Sequence, residues 1–126
     1  MAFGTLNVAL RDFARFGTLY MNHGKWQGEQ LVPAQWVRDS VTPDAPHLMP
    51  GKNPSSDTEM GYGYQWWIPR KPKGDFMALG VYGQSIYINP QKKLVVVRTS
   101  AFPQWSIEGG SDFVMTEYCQ YLAEKL

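Results

Sequence analysis

Apolar positions recur with helical spacing at the start of the chain: Phe13, Phe16 and Tyr20 fall on one face of the segment Val8 to Met21, and Arg11, Asp12 and Arg15 on others. Asn7 offers an N-cap for that helix and Asn22-His23-Gly24 ends it. Lys25 to Gln30 is polar and predicts a turn, and Pro33 suits the first position of a short helix running to about Val41, closed by Pro43. From Thr42 to Thr58 the periodicity stops. Pro43, Pro46, Pro50 and Pro54 with Gly51, Ser55 and Ser56 make this a long loop, read either as a lid or cleft wall or as an irregular surface excursion.

Strand patterns follow. Tyr62 to Ile68 is rich in aromatics and bounded by Gly61 and Pro69, and Phe76 to Leu79 comes after the turn Lys71-Pro72-Lys73-Gly74. Ser85 to Asn89 and Leu94 to Thr99 flank Pro90-Gln91-Lys92-Lys93 as a hairpin, and such short connections predict antiparallel pairing. A last helix, capped by Ser111, sets Val114, Tyr118, Tyr121, Leu122 and Lys125 on one face, with Glu117 and Glu124 off it. The order of elements predicts one α+β domain over residues 1–126: an antiparallel sheet of about four strands with N-terminal and C-terminal helices packed on it.

Composition narrows the function classes. Of the 126 residues 44% are hydrophobic and 18% charged, which is ordinary globular usage and excludes a disordered chain. Twelve basic and eleven acidic side chains give a formal charge of +1, leaving no electrostatic footprint for nucleic acid or an anionic membrane. No run approaches the roughly 20 apolar residues that span a bilayer, and Met1-Ala2-Phe3-Gly4 opens no export signal. The expectation is a soluble chain with a small neutral partner; its compartment is left open. Cys119 has no second cysteine to pair with and is expected to be a buried free thiol.

A self-sufficient catalytic set is missing. Neither His23 nor His47 has neighbours at metal-ligand spacing, and both read as solvated or capping side chains, so no metal or cofactor is expected. Gly83-Gln84-Ser85-Ile86-Tyr87 fails the nucleophile-elbow pattern at its last position. A serine needs a base within hydrogen-bond reach to attack a carbonyl, yet none of the serines at 40, 55, 56, 85, 100, 106 and 111 has Lys three residues on. The informative stretch is Ala78 to Pro90, where Gly80 and Gly83 stand between two strands. They mark either a tight inter-strand turn or a place where exposed backbone N–H groups meet a developing oxyanion.

Three stretches together resemble the C-terminal portion of the serine β-lactamase-like hydrolases, the group containing penicillin-binding proteins, class C β-lactamases, related esterases and nylon-oligomer hydrolases. They are Leu10-Arg11-Asp12-Phe13-Ala14-Arg15-Phe16-Gly17 with Gly24-Lys25-Trp26-Gln27-Gly28, Leu31-Val32-Pro33 and Trp36-Val37; Gly61-Tyr62-Gly63-Tyr64-Gln65-Trp66-Trp67; and Ala78 to Gln84 with Ile86 to Pro90 and Leu94 to Val97. The resemblance implies acyl transfer from an ester or amide through an acyl-enzyme. The family's Ser-x-x-Lys and its Tyr-x-Asn or Ser-x-Asn element lie N-terminal to the matched region, and Tyr20-Met21-Asn22 and Tyr87-Ile88-Asn89 reproduce the latter only by coincidence.

By position, the family's Lys-Thr-Gly or His-x-Gly element matches Ala78-Leu79-Gly80, which implies an oxyanion-hole N–H from Val81 and a cleft lined by Gly80, Tyr82, Gln84 and Trp66. Ala78 and Leu79 replace the polar pair and leave no side chain for a substrate carboxylate. That departure points away from β-lactam turnover and towards ester or amide-oligomer cleavage. Two readings stay open: a hydrolase fragment that is inactive alone, or a stand-alone binding module that self-associates. A small-molecule ester or amide is the implied ligand, and a homo-oligomer or a missing N-terminal part the implied partner.

Overall fold

The computed structural model describes residues 6–54, 56–104 and 111–126, with the backbone alone at 111 and 112. Helix α1 (Leu10–Met21) starts later than Asn7 would have it. Ala9 is the N-cap in extended backbone, and its carbonyl accepts from Asp12 N at 2.8 Å and Phe13 N at 3.3 Å. The helix ends where expected, with Gly24 N donating to Leu19 O at 2.8 Å and Gly24 in the left-handed region. The polar turn after it is a small hairpin of β1 (Lys25–Trp26) and β2 (Glu29–Gln30). Gln27 and Gly28 both take positive φ at its tip, as a two-residue hairpin turn demands. Helix α2 (Ala34–Ser40) follows directly on Pro33.

The aromatic run read as one strand is two. β3 (Gly61–Tyr62) and β4 (Trp67–Ile68) pair around a turn closed by Gly63 N donating to Trp66 O at 2.8 Å, with Gln65 at φ 67°. Period-2 alternation cannot reveal a turn in which large side chains continue on both sides of it. With β5 (Phe76–Gly80), β6 (Gln84–Asn89) and β7 (Leu94–Arg98) this makes a five-stranded antiparallel meander in sequence order, in place of about four strands. The α+β class stands. Helix α3 (Ser111–Lys125) begins at Ser111, whose capping role lies outside the described residues.

The helices cover opposite faces of the sheet, a choice that register makes plain. Phe76 pairs with Ile88, Ala78 with Ile86, and these with Val95 and Val97. All six pack with Tyr20 of α1 and Val37 of α2. The alternate residues Met77, Tyr87 and Val96 pack with Met115 and Cys119 of α3. Contact of α1 with the sheet depends on Gly17, where an added Cβ would lie 2.7 Å from Val95 Cγ1 and 3.1 Å from Ile86 Cγ2. The missing side chain lets the helix settle onto β6 and β7, and burial of its apolar face supplies the driving force.

The inward face of α3 differs from the one its apolar residues predict. Val114, Tyr118 and Tyr121 are exposed, whereas Met115, Thr116, Cys119 and Ala123 are buried. Cys119 is the buried free thiol expected of it. Polar contacts help orient the helix: Thr116 Oγ1 donates to Met77 Sδ at 3.1 Å, and Gln120 Nε2 reaches Asp75 Oδ2 at 2.8 Å and Lys71 O at 3.0 Å.

Candidate functional site

Strand β5 leads into a three-residue corner, Val81–Gly83, before β6 turns back, with Gly80 paired opposite Gln84. Tyr82 takes φ 59° and ψ 22°, a left-handed conformation that costs a residue bearing Cβ of order 1–3 kcal/mol unless its surroundings enforce it. The segment after β7 does so. Phe102 N donates to Tyr82 O at 3.3 Å, and Arg98 Nε donates to Gly83 O at 2.7 Å with its guanidinium 5.3 Å from the centre of the Phe102 ring. Gly83, at φ 85°, lies so near that ring that a Cβ would stand 2.3 Å from Phe102 Cε2. Gln84 completes the attachment: its Oε1 accepts from Ser100 N at 3.1 Å and its Nε2 donates to Ser100 O.

Bolted from one side, the corner presents Val81 and Tyr82 on the other, 55% and 46% exposed. Gly80, Val81 and Tyr82 therefore come together at one open sheet end. Gln84 stands beside them with its amide turned to Ser100, so its described bonds support the corner rather than face outward. Trp66 does not join them, which corrects its place among the cleft residues. It is 3% exposed in an aromatic cluster, 4.6 Å from Tyr20, 5.1 Å from Phe76 and 6.0 Å from Phe16 between ring centroids. Phe76 opens β5 and Gly80 closes it, roughly 13 Å apart at strand rise. An indole has more apolar area to bury than any other side chain, and the core beneath α1 takes it.

The corner supplies no proton acceptor to a hydroxyl. Ser85, the nearest serine in sequence, is 3% exposed on the α3 face, opposite Arg98 in register. Among the described residues its Oγ has no hydrogen-bond partner. His23 and His47 are both exposed and lie in separate turns. No group of three or more metal-ligating side chains occurs among the described residues. The loop after α2 folds back towards β3, with Gly51 N donating to Glu59 O at 2.8 Å and Leu48 O beside Gly61, at the sheet edge away from β7.

A polar centre escaped the sequence reading. Asp75, 2% exposed, accepts from Lys73 N at 2.7 Å, Tyr87 OH at 2.8 Å and Gln120 Nε2 at 2.8 Å. Burial pushes the Tyr87 hydroxyl above its ordinary range; a hydrogen bond with Asn89 opposes this, and Asp75 beside it adds to it. Cys119 is pushed up to about 11, chiefly by burial, with Arg98 pulling the other way and Asp75 adding to the rise. Both groups stay protonated at neutral pH and act as structure. The only sequence signal was an acidic residue between Gly74 and an apolar strand, which reads equally well as turn chemistry.

Three comparisons bear on the fold as a whole. No protein-family model matches the chain. It is 27% identical over 101 residues to the 6-aminohexanoate-dimer hydrolase of Paenarthrobacter ureafaciens, covering 79% of this chain and 26% of that protein. An uncharacterised protein of Alkalihalophilus pseudofirmus matches at 28% identity over 102 residues, covering 72% of this chain and 29% of that one. A solved structure from Bacillus anthracis, named provisionally as a 6-aminohexanoate-dimer hydrolase, superposes with a TM-score of 0.71 and 34% identity over 95% of this chain and 30% of its own. The chain thus has hydrolase relatives and spans between a quarter and a third of their length.

Proposed function

We propose that this chain is the C-terminal part of a serine hydrolase that cleaves esters or amides by acyl transfer, and that it is inert by itself. The observation behind this is the match of 95% of the chain to 30% of a protein bearing a hydrolase name. Within that reading Val81 N–H is one donor of the oxyanion hole, Gly80 lets the backbone approach the reacting carbonyl, and Tyr82 flanks it. Gln84 acts as a positioning residue through Ser100. A rigid amide aimed at developing charge is worth most where the corner holding it cannot relax. The ligand is a small-molecule ester or amide, the class to which the 6-aminohexanoate dimer of the relatives' names belongs. The nucleophile and its base come from a part of the enzyme outside these 126 residues, since no serine here has Lys three positions on.

Joining the chain to an N-terminal part carrying Ser-x-x-Lys should restore turnover of the 6-aminohexanoate dimer. In that joined protein Val81→Pro, which removes one N–H, should lower kcat by about 10²–10³-fold. Hydrolysis by the chain alone, or labelling of one of its serines by a fluorophosphonate, overturns the reading.

A second reading, self-association, is favoured by β7. Among the described residues this strand is the last of the sheet, and its residues Leu94 to Val97 are half-buried with no proline or charge to block an added strand. Sedimentation at rising concentration checks it: a dimer whose β7 amides become protected supports the module, and a monomer throughout rejects it.

A further inference from the structure

An open cavity of about 450 Å³ lies at the far end of β5 from Val81, between the helices of one face and the turns that precede β5 and follow β6. Its size falls within the range of small-ligand sites. Tyr20, Val37, Val41, Ile68 and Phe76 form apolar walls, and all five belong to or pack on the rigid core of the α1 face. Beside the Tyr20 hydroxyl, Arg38, His23 and Asp75 contribute ionisable groups to its lining.

The carboxylate among them is already engaged by protein donors, whereas Arg38 is open to solvent. Strand parity turns the Asp75 side chain to the α3 face, where Tyr87 OH and Gln120 Nε2 each donate to Oδ2. Arg38 and His23 are exposed on the helical side, where they can flank the mouth. The guanidinium has five N–H donors in a planar fork, one of which is given to Gln35 Oε1 at 2.7 Å. An apolar chamber with a basic fork at its edge matches a ligand with an apolar body and a single anionic head.

We propose that this cavity binds a monocarboxylate with a medium-length apolar chain, its carboxylate on Arg38 and its chain among Val37, Val41, Ile68 and Phe76. Binding here needs neither a nucleophile nor the Val81 corner, so the site operates in the chain as it stands. It is separate from the acyl-transfer reading.

The test is a methyl NMR titration of the chain with octanoate and, in parallel, with octan-1-ol, which has the same chain and no charge. Octanoate should shift the methyl signals of Val37, Val41 and Ile68 in a saturable manner at millimolar concentration or below. Arg38→Ala, a change at an exposed side chain, should weaken octanoate about tenfold while leaving octanol where it was, the effect of losing one charge-assisted hydrogen bond. Absence of saturable shifts at those methyls overturns the proposal. Equal binding of acid and alcohol that is indifferent to Arg38→Ala overturns it as well.

Discussion

The two faces of the sheet are built on different principles. Beneath α1 the packing is apolar: Tyr20, Trp66 and Phe76 are buried against Ile86 and Ile88, with Phe16 leaning on them and Gly17 giving the helix its close approach. Beneath α3 the same strands present Met77 and Tyr87 to Met115 and Cys119, threaded by a buried carboxylate with three donors. Shape and apolar area alone orient α1. α3 carries apolar residues all around, with Phe113, Val114, Tyr118 and Tyr121 exposed, so hydrophobicity leaves its rotation undetermined. Asp75 selects among the rotations, because Gln120 of α3 supplies one of the three donors to that buried carboxylate, and losing it is costlier than exposing a tyrosine.

The contrast can be broken most forcefully on the apolar side. Trp66→Ala should cost about 3–5 kcal/mol in denaturant unfolding, the sum of lost transfer energy and a cavity that a rigid aromatic cluster closes poorly. A smaller loss, on the order of 1 kcal/mol, would mean that Phe16 and Tyr20 collapse into the space. On the polar side Asp75→Ala should cost about 2–3 kcal/mol, because it takes the carboxylate acceptor from the buried Tyr87 OH and from Lys73 N, while Gln120 Nε2 keeps Lys71 O. Adding Tyr87→Phe to that variant should recover about 1 kcal/mol, since the second change removes an orphaned donor. Strict additivity of the two changes would show that Asp75 and Tyr87 are not coupled.

Alkaline titration sharpens the comparison further. The folded state raises Cys119 from an ordinary 9.0 to about 11, so the native protein holds a proton that the unfolded chain gives up. That contribution is fully present below pH 9 and is lost as pH climbs through about 11, a slope that Cys119→Ala should reduce. Native protein at pH 8 should accordingly resist iodoacetamide until it unfolds. The smallest effect belongs to the exposed pair Lys73 and Glu124, in which the lysine's hydrogen bond holds the carboxyl below its usual range. Lys73→Ala should leave the unfolding midpoint within error, because solvent screens such pairs.

Much of this was legible in the chain. Helical spacing in Phe13, Phe16 and Tyr20 located α1, and alternation located β5 to β7 almost to the residue. Gly80 and Gly83 marked the corner. What escaped was non-local. The break between Tyr62 and Trp67 is a turn seated on α2, where Tyr64 N donates to Ser40 O at 2.8 Å and a Cβ on Gly63 would stand 2.1 Å from that oxygen. Gln84 looked like a cleft residue because its partner, Ser100, lies sixteen positions away. Trp66 looked like one because an aromatic strand reads the same whether its rings face ligand or core.

Local rules therefore determined most of the elements, their order and the lack of a Ser-x-x-Lys in these 126 residues, since period, turn chemistry and spacing are properties of neighbouring residues. Only tertiary structure decided that the helices flank the sheet on both faces, which side of α3 turns inward, and that a corner of three residues is held rigid by the segment after β7. Those outcomes rest on contacts between residues far apart in the chain, where packing volume and the satisfaction of buried polar groups override the preference of any single segment.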